Sequence, residues 1–109
     1  MPGPHKIAAV HFDSEVMCAS GVVLVDFYAD WCGPCKLMKG IVEDLVRDLA
    51  GRARVCAVDV DEEEALAQRF SVTSVPSFLL FRNGSVLRTM VGYMPKEKLL
   101  RAVEEALAP

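Results

Sequence analysis

The period of the apolar residues changes several times along the chain, and each change marks an element. Val22-Val23-Leu24-Val25-Asp26-Phe27-Tyr28-Ala29 is almost continuously β-branched, aromatic or aliphatic, which reads as a strand covered on both faces. From Cys35 to Ala50 the period becomes helical, with Leu37, Met38, Ile41, Val42, Leu45, Val46 and Leu49 along one stripe and Gly51 closing the helix. Ahead of these, Ile7 to Phe12 reads as a short strand and Asp13 to Ala19 as a short helix. Arg54 to Val60 reads as another strand. Asp61 then caps a helix to about Arg69, and Glu64 stands where it completes a capping-box-like pair. Ser77 to Arg82 and Val86 to Val91 flank Asn83-Gly84, a hairpin turn in which both residues tolerate positive φ. Pro95 opens a last helix, with Leu99, Leu100, Val103 and Leu107 on one face.

Strands alternating with helices, then a hairpin and a closing helix, predict an α/β fold: a central mixed sheet flanked by helices on both faces. The 109 residues, 52% of them hydrophobic, suffice for one core, and no linker, repeat or low-complexity stretch divides them. Residues 1–109 are therefore read as a single domain.

At the junction of the longest strand and the longest helix lies Trp31-Cys32-Gly33-Pro34-Cys35. Pro34 suits a first helical turn, where its missing N–H has no intrahelical partner, and Gly33 lets another backbone approach. Cys32 then faces the free N–H groups and the positive end of the helix dipole, which favour thiolate over thiol. Cys35, one turn on, is near enough to close a ring with it. In that geometry Cys32 attacks a substrate disulfide and Cys35 resolves the mixed disulfide, with no metal or organic cofactor bound. Zinc as a rule takes four ligands, and Cys18, Cys56, His5 and His11 offer no second cluster at ligand spacing. Asp26, a carboxylate in a run that reads as fully buried, should have a raised pKa.

Val25-Asp26-Phe27-Tyr28-Ala29-Asp30-Trp31-Cys32-Gly33-Pro34-Cys35-Lys36 resembles the active-site motif of the thioredoxin family. The likeness continues through Val58-Asp59-Val60-Asp61, Ser74-Val75-Pro76-Ser77-Phe78, Phe81-Arg82-Asn83-Gly84 and Val91-Gly92, covering nearly the whole chain. It implies the thioredoxin fold and a general protein-disulfide reductase. It also implies that Asp26 is a buried acid that helps move the proton when Cys35 becomes a nucleophile. Pro76 becomes a cis-proline facing the disulfide, and Trp31, Val75 and Gly92, with Gly33 and Pro34, a shallow surface on which extended substrate docks. The Gly33-Pro34 pair goes with reducing members of the family. Partners implied are a thioredoxin reductase, drawing on NADPH through a flavoprotein or on ferredoxin, and disulfide substrates such as peroxiredoxin, ribonucleotide reductase and methionine sulfoxide reductase. The alternative is a redox-sensitive binding module or subunit that uses the Trp31, Val75 and Gly92 surface without turnover.

Three positions depart from the bacterial family pattern: Ala57 stands where a lysine near the buried acid is common, Gly40 where a helix-kinking proline is, and Tyr28 where tryptophan is. Losing that lysine removes an attraction that would lower the Asp26 pKa. Cys56 reads as a small buried hydrophobe, and Cys18 lies near the end of a short helix. A net charge of −3 gives no support to nucleic-acid binding, and Asp26 interrupts the best apolar run, so no membrane span is expected. Met1-Pro2-Gly3-Pro4-His5-Lys6 has neither the apolar core of a signal peptide nor an arginine-rich amphipathic pattern, which makes the cytoplasm the expected compartment. The expected form is a monomer.

Overall fold

A computed structural model describes residues 3–109. Its strands are β1 (His5–Lys6), β2 (Val22–Tyr28), β3 (Arg54–Asp59), β4 (Ser77–Arg82) and β5 (Ser85–Val91). They form one sheet in the order β1-β3-β2-β4-β5. The pairs β1·β3 and β3·β2 are parallel, whereas β2·β4 and β4·β5 are antiparallel. The helices are α1 (Ala9–Phe12), continued by a π-helical turn over Asp13–Met17, then α2 (Gly33–Leu49), α3 (Glu64–Arg69) and α4 (Lys96–Leu107). This is the mixed, doubly covered sheet that the alternation of elements predicts.

β2 occupies the centre because its side chains are apolar on both faces. Val22 and Leu24 join Phe78, Leu80 and Met90 beneath Met38, Val42, Leu45 and Leu49 of α2 and Leu99, Ala102, Val103 and Ala106 of α4. Val23, Val25 and Phe27 turn the other way, against Ile7, Phe12, Val16, Cys56, Val58, Leu66, Leu79 and Phe81. Successive residues of a strand alternate faces, so Asp26 falls on the side that α2 and α4 cover. On the opposite side the rings of Phe12, Phe27, Phe70 and Phe81 pack together at centroid distances of 5.3–6.4 Å.

The hairpin turn and the long helix follow the sequence reading. Asn83 and Gly84 have φ of 51° and 82°. Asn83 also clasps Gly21, accepting its N–H through Oδ1 at 3.0 Å and donating its own N–H to the Gly21 carbonyl at 3.2 Å. A side chain at Gly84 would lie 2.6 Å from the Met17 carbonyl oxygen, so this turn needs glycine for space as well as for φ. Gly51, with φ of 80°, turns the chain after α2. Pro95 is the residue that precedes α4 and not its first helical position.

Two local expectations fail. The stretch Ile7 to Phe12 is not a strand: pairing with β3 ends where the Ile7 N–H meets the Ala57 carbonyl, and Ala9–Phe12 is helical. Phe12 and Val16 are buried while Val10 is 85% exposed, a helical stripe too short to stand out from alternation in the sequence. Asp61 does not cap α3, which begins only at Glu64 and has no side-chain cap. Asp59 holds the turn ahead of α3 instead, its buried carboxylate accepting through Oδ1 from the N–H groups of Asp61 and Glu62 at 2.9 and 3.3 Å.

Candidate active site

β2 ends at Tyr28, and a short loop carries Trp31 out to solvent before Cys32 becomes the N-cap of α2. The Cys32 Sγ accepts the Cys35 N–H at 3.1 Å, placing the sulfur against the unpaired donors of the helix terminus as the motif requires. Pro34 lies in the first helical turn. Cys32 and Cys35 are joined by a disulfide, with their Cα atoms 5.2 Å apart. Cys32 is only 3% exposed, while Cys35 is partly exposed. Gly33 and Pro34 are both open to solvent.

Distant segments converge on the pair. The Val75–Pro76 bond is cis, and the Val75 carbonyl oxygen lies 3.6 Å from the disulfide-bonded Cys32 Sγ, within reach of a Cys32 thiol once the bond is reduced. Ser77 holds this loop by donating its hydroxyl to the Ser74 carbonyl at 2.6 Å. The Gly92 N–H donates to the Pro76 carbonyl at 2.8 Å, bringing the end of β5 alongside. Gly92 has φ of 97° and open space where a side chain would stand. Trp31, Val75 and Gly92 are thus all at least partly exposed around the disulfide, with Pro76 buried behind them. Two exposed apolar residues are absent from the sequence reading of this surface: Tyr93, next to Gly92 in the chain, and Leu37, in the first turns of α2, which the helical period places in the buried stripe but which is 68% exposed.

Asp61 is the site residue whose part the sequence hid. Its Oδ2 accepts the indole N–H of Trp31 at 2.8 Å and so restrains a ring that is itself 68% exposed. Asp61 lies in an acidic run, where nothing in the spacing separates it from its neighbours.

Asp26 pairs in register with Ala57 of β3 and Phe78 of β4, neither of which offers a charge or a donor. The residue is half-buried, but its Oδ1 is sealed from solvent with no hydrogen-bond partner. Burial pushes its pKa up to about 7, in the direction the sequence predicts. A cavity of about 570 Å³ joins Asp26 to Cys35 and to Lys36, Lys39 and Glu43 of α2. Cys56 is fully buried in β3, and burial pushes its thiol up to about 11, whereas Cys18 is exposed. Among the described residues no group of three or more His, Cys, Asp or Glu could hold a metal ion.

A paired, polarised dithiol at a helix terminus, beside a cis-proline and a shallow apolar rim, is the arrangement for thiol-disulfide exchange. Comparison with known proteins agrees. The family model described as Thioredoxin matches residues 4–105. Curated thioredoxins of Staphylococcus saprophyticus and of Staphylococcus aureus are each 40% identical over 102 residues, covering 94% of this chain and 96% of theirs. The chain belongs to the thioredoxin family of protein-disulfide oxidoreductases.

Proposed function

We propose that Cys32 is the attacking nucleophile and Cys35 the resolving thiol, in a single domain spanning residues 1–109. The observation that carries this assignment is the Cys32 Sγ at the N-terminus of α2, 3.1 Å from the Cys35 nitrogen. Exposure alone favours Cys35. The thiolate is the reactive species, however, and the helix terminus stabilises it at Cys32. The Cys32 thiolate attacks one sulfur of the substrate disulfide and expels the other as thiolate. Cys35 then passes its proton to Asp26 and attacks Cys32 Sγ, closing the Cys32–Cys35 bond and releasing the second substrate sulfur. Two electrons move to the substrate, and its two sulfurs take up protons.

Extended substrate docks on Trp31, Gly33, Pro34, Val75, Pro76 and Gly92, with the backbone of Val75 available to pair with it as a strand edge would. Thioredoxins generally work with a thioredoxin reductase and with disulfide substrates. For this chain we assign electrons drawn ultimately from NADPH, and targets of the peroxiredoxin, ribonucleotide reductase and methionine sulfoxide reductase kind. No described helix is long and apolar enough to cross a membrane, and we assign the protein to the cytoplasm as a monomer.

Trapping tests the assignment. With a disulfide-bonded protein substrate, Cys35→Ser should accumulate a mixed disulfide through Cys32, and Cys32→Ser should accumulate little. The opposite pattern would reverse the two roles. A variant with both cysteines changed to serine should lose reductase activity altogether. If it retained its cellular role, the surface around Trp31 would be acting as a binding module.

A further inference from the structure

The cavity beside Asp26 holds an imbalance that the exchange chemistry leaves unexplained. Asp26, a half-buried carboxyl with one sealed and unpartnered oxygen, lines a space rimmed by cations, yet it forms no ion pair among the described residues. Charged and titratable groups reach this cavity from three sides: Lys6 from β1, Tyr28 and Asp30 from the end of β2 and its loop, and Cys35, Lys36, Lys39 and Glu43 from α2. β3 contributes only Ala57 to the lining, and β4 and α4 contribute nothing. Lys6 is engaged by Glu62 at 2.8 Å. Lys36 and Lys39 take part in no ion pair among the described residues.

We propose that Lys39 is the counter-ion of Asp26: when the carboxyl loses its proton, the Lys39 ammonium moves across the cavity and pairs with it. Helix geometry selects Lys39 over Lys36. Residues 35, 39 and 42 form one stripe at i, i+4 and i+7, so Lys39 stands one turn beyond Cys35 on the face that looks onto Asp26, between Cys35 and Val42. Its flexible stem and compact ammonium suit a partner that is charged for only part of the cycle. With Ala57 opposite Asp26 the strand itself supplies no cation, and the space left over gives the lysine room to enter. Glu43, one turn further along α2, lines the same cavity but forms no ion pair with Lys39, which leaves the ammonium uncommitted. Lys39 is then a positioning residue: it acts on Cys35 only through Asp26. The functional part of this assignment rests on reading Asp26 as the acceptor of the Cys35 proton, while the ion pair itself does not.

The experiment follows the Asp26 carboxyl by carbon-13 NMR against pH in the reduced full-length protein, for wild type, Lys39→Met, Lys39→Arg and Lys36→Met. The pH profile of mixed-disulfide resolution is measured in the same proteins. Lys39 is exposed, so its variants should fold. Removing a cation makes the carboxylate less favourable, so Lys39→Met should raise the Asp26 midpoint by about half a pH unit. Lys36→Met should move it clearly less, and Lys39→Arg should restore it. The resolution profile should shift with the midpoint. An unchanged midpoint in Lys39→Met, or an equal shift in Lys36→Met, would overturn the proposal. If the midpoint moves and the resolution profile does not, the ion pair stands and Asp26 is not the acceptor for Cys35.

Discussion

The indole nitrogen of Trp31 donates to Asp61 Oδ2 at 2.8 Å, tying the exposed ring beside Cys32 to the turn that follows β3. A large apolar side chain facing water has several rotamers, and the bond selects one in advance of binding. Asp61→Ala should raise KM for a protein disulfide about fivefold, the equivalent of one hydrogen bond of about 1 kcal/mol. It should leave kcat and the Cys32–Cys35 reduction potential alone and alter the tryptophan fluorescence. A fall in kcat at constant KM would show that the bond serves the chemistry instead of docking.

Asp26 should make the protein less stable as pH rises. Its folded pKa of about 7 lies above the ordinary carboxylate value, so between about pH 4 and pH 7 the unfolded chain has already lost a proton that the folded protein keeps. Stability is therefore highest at the acid end of that window and falls through it by roughly 2–4 kcal/mol from this group. Denaturant titrations of Asp26→Asn and wild type should diverge across the window in favour of the variant and run parallel above it. The same variant should slow exchange without abolishing it, since both thiols remain. Total loss of activity in the folded variant would contradict the role given to Asp26.

Ala57→Lys places a cation directly across the strand pair from Asp26. The Asp26 midpoint should fall by about one pH unit or more, as for a carboxylate with an opposite charge in contact. Titration of the carboxyl checks this, and an unchanged midpoint would mean that the lysine turns away into solvent.

Two glycines should respond in opposite directions. Gly40 lies exposed in α2 with nothing within 4 Å of the point where a side chain would start, so Gly40→Ala should stabilise the helix by about 0.5–1 kcal/mol. Gly84 has positive φ, and the Met17 carbonyl oxygen is 2.6 Å from the corresponding point. Gly84→Ala should destabilise by about 2 kcal/mol or more, because the turn and the segment ending at Met17 must separate. Chemical denaturation of both variants provides the comparison.

In a Cys32→Ser, Cys35→Ser variant, native-state alkylation should label Cys18 and spare Cys56. Cys18 is exposed, while Cys56 combines complete burial with a thiol pushed up to about 11. Mass spectrometry should therefore find one adduct under native conditions and two after unfolding.

Much of this was legible in the order of residues. The apolar run from Val22 to Tyr28 could only be a central strand, and the period of Met38, Val42, Leu45 and Leu49 only a helix packed on it, because burial on one or two faces leaves its own repeat in the chain. The cysteine spacing and the motifs around it identified the chemistry for the same reason: both thiols and the helix terminus that polarises them lie within a few consecutive residues. Leu37 shows the limit of that logic, since helical spacing cannot say where along a helix its cover ends, and near its N-terminus the apolar stripe runs out into solvent.

Tertiary structure alone decided what depended on residues far apart in the chain. The convergence of Val75, Pro76 and Gly92 on Cys32 required the sheet to close, and the cis bond before Pro76 was expected only through the family resemblance of its neighbours, not from any periodicity or spacing. Trp31 and Asp61 meet because their loops follow adjacent parallel strands, which no local pattern records. Ile7 to Phe12 left the sheet after the Ile7 N–H bond to the Ala57 carbonyl and turned helical from Ala9, burying Phe12. Local sequence carries periodicity and chemistry, whereas pairing, capping and docking are settled by competition among groups that only the folded chain brings together.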